Sequence, residues 1–235
     1  MNERPTLLPL PLPLARAVAS WRLNGPLAGL LFALTLLAPL ASLARTAVAS
    51  DMPPDQLVRT TVDRVVEIIK SDKAIQRGDM MRILEVAEAN AAQHFNFPRM
   101  TRLAMGANWK LATAAQHDEL VREFRAILLR TYAVALKEYR NQPIEVRPTR
   151  LAPGDSETTV RTVVNQPGAK AISIDYDMER TPQGWKVYDV TVAGVSLVIN
   201  FRSSFDGEIR KSGVDGLVRS LVERNRSASA GEARK

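Results

Sequence analysis

The chain has 235 residues, 46% of them hydrophobic and 24% charged, with a formal net charge of +7; these are ordinary globular proportions, enough for one domain with a sizeable core. It contains no cysteine, which excludes a disulfide framework, thiol catalysis, thiolate metal sites and a lipid anchor attached through cysteine. Residues 1–49 hold four basic residues and one acid, leaving about +4 for the remainder; the cations are dispersed, which does not support nucleic-acid binding but allows mild attraction to anionic head groups or acidic surfaces.

The N-terminus follows the three-part order of a secretory signal. Arg4, Arg16 and Arg22 precede the apolar run Leu27 to Ala38, and Ala47-Val48-Ala49 supplies a small-x-small cleavage site. The uncharged stretch from Leu23 to Ala44 is also long enough for an uncleaved anchor, but Pro26, Pro39 and the cleavage site favour removal. Residues 1–49 are therefore predicted to be a signal peptide cleaved near Ala49 on export.

Helical spacing begins after Met52-Pro53-Pro54-Asp55, with Leu57, Val58, Val62, Val65, Val66 and Ile69 on one face. Gly78-Asp79 interrupts the chain, and Met81, Leu84, Ala87 and Ala91 predict a second helix. Pro98 opens a third, ending at Gly106. Thr113 to Gln116 is a capping box. It predicts a long helix with Leu120, Phe124, Ile127, Leu128, Thr131, Ala135 and Tyr139 on one face, ending near Asn141 before Pro143.

From there the period becomes two. Ile144 and Val146, then Val160, Thr162 and Val164, then Ile172, Ile174, Tyr176 and Met178, then Trp185 to Val192, predict four strands joined by turns at Pro153-Gly154, Pro167-Gly168 and Pro182-Gln183-Gly184. Helical spacing returns with Val198, Phe201, Phe205 and Ile209, and again with Val214, Leu217, Val218 and Leu221. Residues 227–235 are small and polar, and predict a disordered tail. Helices, then a meander, then helices is the α+β pattern. The expected domain spans residues 50–226, an antiparallel, curved, four-stranded or slightly larger sheet enclosed by helices.

Catalytic chemistry is not visible. His94 and His117 fall in different helical segments, which argues against a metal site. Ser196 in Gly194-Val195-Ser196-Leu197-Val198 lacks the second glycine of a nucleophile elbow and reads as a helix N-cap. Asp175, Asp177 and Glu179 alternate with apolar residues and read as the wet face of a strand. No glycine-rich phosphate loop is present. What remains is apolar: Trp109, Phe124, Tyr132, Tyr176, Trp185, Tyr188, Phe201 and Phe205 exceed what turns or charges account for. They are either a filled core or the lining of a cavity between helices and sheet.

Two blocks carry a resemblance. Phe95-Asn96-Phe97 with Met100-Thr101, Gly106, Trp109, Phe124 and Leu128-Leu129-Arg130-Thr131-Tyr132 resembles the MlaC, or toluene-tolerance, family. So does Trp185 to Val190 with Gly194 to Val198 and Phe201-Arg202-Ser203-Ser204-Phe205. The similarity covers about Leu57 to Leu221; Asn96, Met105 and Phe201 stand where the family often has an acid, Leu and Tyr. The resemblance implies a fold similar in shape to NTF2-like and cystatin-like domains, with a deep apolar cavity. It implies a monomeric periplasmic phospholipid carrier, without cofactor, metal or catalytic residue, maintaining outer-membrane lipid asymmetry. Its partners would be a diacyl glycerophospholipid, the inner-membrane Mla ABC transporter complex and the outer-membrane MlaA lipoprotein–porin complex. Acyl tails are then expected against Leu103, Trp109, Phe124, Ile127, Leu128 and Tyr132, against Val146, Val160, Ile174, Tyr176 and Tyr188 on the strands, and against Val198 and Phe201. A small periplasmic enzyme acting on an apolar substrate in the same pocket, or a structural adaptor with a filled core, are the competing classes.

Overall fold

Pro54 opens the first helix because its missing N–H and fixed φ suit the first helical turn. In the computed structural model, which describes residues 52–232, α1 runs Pro54–Ser71, α2 Lys73–Gln76 and α3 Met80–Asn90. Asp72 caps α2 by accepting from the Ala74 and Ile75 amides, and Asp79 caps α3 through Arg82 N. A 3-10 turn, Ala92–His94, leads to α4, Phe97–Met105, capped by Asn96 Oδ1 on Arg99 N. The capping box of Thr113 and Gln116 forms and starts α5, Ala114–Lys137. The signal-peptide reading of residues 1–49 lies outside the described residues. Among the described residues no helix is long and apolar enough to cross a membrane.

Helix α5 stops four residues before Asn141. Tyr139 Oη donates to Gln142 O, Arg140 N donates to Gln142 Oε1, and Asn141 takes a positive φ of 63°. These local bonds turn the chain into β1 (Ile144–Val146), followed by β2 (Glu157–Val164), β3 (Ile172–Thr181), β4 (Gly184–Val192) and β5 (Val195–Ser196). The sheet is an antiparallel meander in the order β1-β2-β3-β4-β5. The expected four strands are joined by a fifth of two residues, made by the tight turn at Ala193-Gly194, where both residues have positive φ.

Register follows the period of two. Val160 lies opposite Tyr176, which lies opposite Val190; Thr162 lies opposite Ile174, which lies opposite Val192. Directly opposite residues share a face. That face packs on α1 through Leu57, Val58 and Val62, and on Leu197 at the start of α6.

Helix α6 spans Leu197–Glu232, with a break at Gly213, whose φ of 70° and ψ of −176° are outside helical space. The domain does not end in a disordered tail at residue 227. Ser229 donates to Asn225 O and accepts from Arg130 Nη2 at 2.7 Å, and the helix continues through Glu232 because α5 holds it there.

Candidate functional site

Three apolar clusters form from these elements. One is helical: α4, α5 and both halves of α6 pack Met100, Met105, Leu120, Phe124, Leu128, Phe205 and Leu217. A second joins the sheet's inward face to α1: Val58, Val146, Val160, Met178, Trp185, Val187, Val190 and Leu197. A third ties α1 to α3 and the end of α5. Phe95 and Tyr132 belong to both of the first two clusters, so they bridge the helical core and the sheet layer.

The sequence candidates divide between the first two clusters. Leu103, Trp109, Phe124, Ile127, Leu128, Val198 and Phe201 lie in the helical one. Three of the seven are closed off, and Leu103, Trp109, Ile127 and Phe201 are partly buried. Phe124, Leu128 and Val198 are 0%, 4% and 3% exposed, and the Phe124 ring meets Phe201 and Phe205 edge-on at 4.8 and 5.1 Å. Trp109 stacks on His117 at 3.7 Å, and its carbonyl lies 2.8 Å from the imidazole Nε2. A ligand reaching these rings would have to displace one of them. Thr131, expected on the apolar face of α5, is exposed.

Val146, Val160, Ile174 and Tyr176 lie together in the sheet layer, with Tyr132 reaching in from α5. Val160 and Val146 are sealed, but Ile174, Tyr176, Val192, Leu57 and Val62 are only partly buried although they point inward. Tyr176 is the clearest case. Burial pushes its hydroxyl up, opposed by a hydrogen bond with Thr162, yet the side chain keeps accessible surface. These half-buried side chains lie where the sheet's inward face meets α1. Two shallow grooves on the outside of the helices, at Asp63, Val66 and Lys70 and at Glu119, Val218 and Val222, involve none of the candidates.

Tyr188 is a correction. Asp177 lies opposite Asp189, but Met178 lies opposite Val187, so β4 bulges by one residue at Tyr188. The bulge sends Val187 and Trp185 inward, 3% and 4% exposed, and turns Tyr188 to the other face. There the Arg99 guanidinium sits 3.6 Å above its ring, and Tyr188 Oη lies 3.3 Å from Glu157 Oε2. Arg99 also pairs with Glu157 at 2.6 Å and Glu179 at 2.5 Å, and Asn96 Nδ2 donates to Glu179 at 2.7 Å. This knot, with Asn96 N donating to Val187 O, fixes the start of α4 to the sheet.

Leu57, Val58 and Val62 of α1, not among the sequence candidates, pack on the sheet layer. Their apolar spacing was legible, but which layer they cover was not. Asp189 was not among the candidates either. It is 8% exposed and accepts from Val190 N, Val198 N and Ser196 Oγ, the last at 2.5 Å. Ser196 Oγ accepts from Ile199 N. Ser196 is thus the N-cap of α6, as its sequence context predicts, and Asp189 a second acceptor for the same helix start. Asp189 Oδ1, Asp189 Oδ2 and Ser196 Oγ are all engaged in bonds at the start of α6. Among the described residues no group of three or more His, Asp or Glu could hold a metal ion.

An antiparallel meander whose apolar face is covered by helices defines an α+β domain. Residues 59–223 match the family model described as MlaC protein, and the chain belongs to that family. It is 22% identical over 182 residues to the intermembrane phospholipid transport system binding protein MlaC of Haemophilus influenzae, covering 76% of this chain and 85% of that one. It is 25% identical over 181 residues to the toluene tolerance protein ttg2D of Pseudomonas putida, covering 77% and 83%. In structure it is similar to the phospholipid-binding protein of Ralstonia solanacearum, solved in complex with a phospholipid, with a TM-score of 0.69 and 36% identity over 74% of this chain and 98% of that one.

Proposed function

We propose that this chain is a periplasmic phospholipid-binding protein that carries lipid between inner- and outer-membrane complexes and so maintains outer-membrane lipid asymmetry. The observation that carries the reading is the likeness to a phospholipid-bound structure across 98% of that protein's length. The half-buried, inward-facing layer of Leu57, Val62, Ile174, Tyr176 and Val192 supports it as the place for the acyl tails. The chain works as a monomer without cofactor and performs no reaction; an ABC transporter complex on one side and an MlaA-type lipoprotein–porin complex on the other receive and supply the cargo.

The energetics fit such a role. Two acyl chains of about 15 methylenes each, at ~0.8 kcal/mol per buried CH₂, are worth ~25 kcal/mol against water. Free diffusion of lipid across an aqueous compartment is therefore negligible. Against a bilayer the same burial nets close to zero, because the tails are in apolar surroundings in both places. Loading and unloading then need no large input, and direction comes from the partners. The test is transfer of labelled phospholipid from donor to acceptor vesicles. The rate rises in proportion to protein for a carrier. A rate no faster than the protein-free control refutes the reading.

A further inference from the structure

We infer that the arginines gathered at the free edge of the sheet, Arg59, Arg147, Arg150 and Arg161, together with Leu151 in the adjoining loop, dock the protein on a bilayer surface that bears anionic phospholipid. This goes beyond the carrier reading above and does not depend on it.

Strand β1 is an edge of the sheet. Its pairing with β2 runs one residue past its end, where Arg147 N donates to Arg161 O at 2.9 Å. Val146 and Thr162, paired just before, are 4% and 1% exposed on the inward face. Arg147 and Arg161 therefore stand opposite each other on the outer face, and both are exposed. Like charges so placed destabilise a sheet. Arg59 of α1 adds another. Ladder bonds alternate along an antiparallel pair, so Val146 O points away from β2, and Arg59 Nη2 donates to it at 2.6 Å. A guanidinium thus lies on the free edge beside the backbone of Arg147. Arg150, in the loop that follows, is exposed as well.

These cations are not neutralised within the protein. Arg82, Arg99, Arg122, Arg125 and Arg226 each pair with a carboxylate, but among the described residues none of Arg59, Arg147, Arg150 and Arg161 does. Glu145 on β1 and Asp175, opposite Arg161, are the neighbouring strand acids, and neither closes an ion pair with them. Asp155 is used locally: Oδ2 accepts from Ala152 N at 2.7 Å, and its amide donates to Ala152 O. That turn closes the loop just after Leu151, which is 38% exposed. Opposed, unneutralised arginines run against the local rules of a sheet, and such conflicts mark places that serve something outside the fold. Guanidinium forks match the oxygens of a phosphodiester. An acidic protein would satisfy the charges alone. A lone leucine in a loop offers a protein partner little area, but among lipid head groups it reaches the acyl boundary with the cations at phosphate level.

The experiment sediments the mature chain with phosphatidylcholine vesicles made with and without phosphatidylglycerol. Wild type should bind only the anionic vesicles, and raising salt from about 0.1 M to about 1 M should release it. Arg147→Gln with Arg161→Gln should weaken binding about 25-fold, about five-fold for each arginine, with the melting midpoint kept or raised because the opposed charges are gone. Arg210→Gln with Lys211→Gln removes as much charge from exposed positions on α6 and should change binding less than about two-fold if the edge arginines are the contact. Leu151→Ser should weaken binding at both salt concentrations. Wild type that stays in solution with anionic vesicles overturns the inference. Equal losses in the two charge pairs overturn it too, since net charge then suffices. Full binding by Leu151→Ser overturns the choice of a bilayer in favour of an acidic surface in general. Transfer of labelled phospholipid, read on the same proteins, reports separately on the carrier reading.

Discussion

Replacing Ile174 by Trp, alongside Val160→Trp, separates a hollow sheet layer from a filled one. The two residues sit on neighbouring strands of the same face, Ile174 opposite Thr162 and Val160 opposite Tyr176. Val160 is 0% exposed, so an indole there has no free volume and forces its neighbours aside. Overpacking of that kind costs about 1–3 kcal/mol, which in a domain of this size lowers the melting midpoint by about 2–12 °C. Ile174 is only partly buried though it points inward. If the acyl tails lie on this layer as proposed, an indole there enters the volume they would occupy and displaces little native packing. The midpoint should stay within about 3 °C of wild type, a cost below ~1 kcal/mol, while extractable phospholipid falls to background. Melting by circular dichroism and phosphorus content after solvent extraction, measured on the same preparations, give both readouts. If Ile174→Trp is destabilised as much as Val160→Trp, and both retain lipid, the space behind the strands is protein-filled and the tails lie elsewhere. Ile127→Trp on α5, at another partly buried position, then reports on the helical cluster by the same two readouts, and loss of lipid with the midpoint kept would put the tails there.

Removing the second acceptor at the start of α6, by Asp189→Ala, leaves the buried Val198 amide and the Ser196 hydroxyl without a partner; it should cost ~2–4 kcal/mol, read as a fall in the urea midpoint, and an unchanged midpoint would show the joint to be dispensable. Gly213 sits at φ 70° and ψ −176° with nothing within 4 Å of an added Cβ, so Gly213→Ala should destabilise by ~1–3 kcal/mol through backbone strain alone, and a rise in stability would mean the break in α6 is not required. Burial first, and the Lys186 charge second, hold His94 below its ordinary value. A base whose folded pKa is depressed contributes stability that is present above the unfolded value and is lost as pH falls through the folded one. Melting midpoints should therefore decline on acidification from about pH 6.5, and His94→Gln should flatten that decline; identical pH profiles for the two proteins would rule the histidine out.

Much of this fold could be read locally. The Thr113–Gln116 capping box, the Pro54 and Asn96 helix starts and the turns at Gly154, Gly168 and Gly184 depend on a few neighbouring residues, and the alternation in β2 and β3 fixes which side chains share a face. The features that escaped depend on partners far along the chain. Tyr188 alternates correctly with Val190, but the bulge that turns it outward is set by the docking of Arg99 and Asn96 of α4. Ser229 belongs to a stretch of small polar residues, and its bond with Arg130, on α5, lies 99 residues away in sequence. Asp189 reads as one more strand acid until the Ala193-Gly194 turn brings Ser196 back beside it. For the site, the resemblance supplied a set of apolar residues, but which of them border space is a matter of packing: Phe124 and Tyr176 look alike in the sequence, and one is sealed among rings while the other keeps accessible surface.

Native mass spectrometry of the protein purified from the periplasm of a Gram-negative host, without detergent, tests the central claim most directly. The account predicts a mature chain beginning near Ser50, carrying the added mass of an intact diacyl phospholipid that dissociates on collisional activation and is recovered by solvent extraction. A chain that is folded and exported, yet has no lipid attached and takes none up from vesicles, would contradict it.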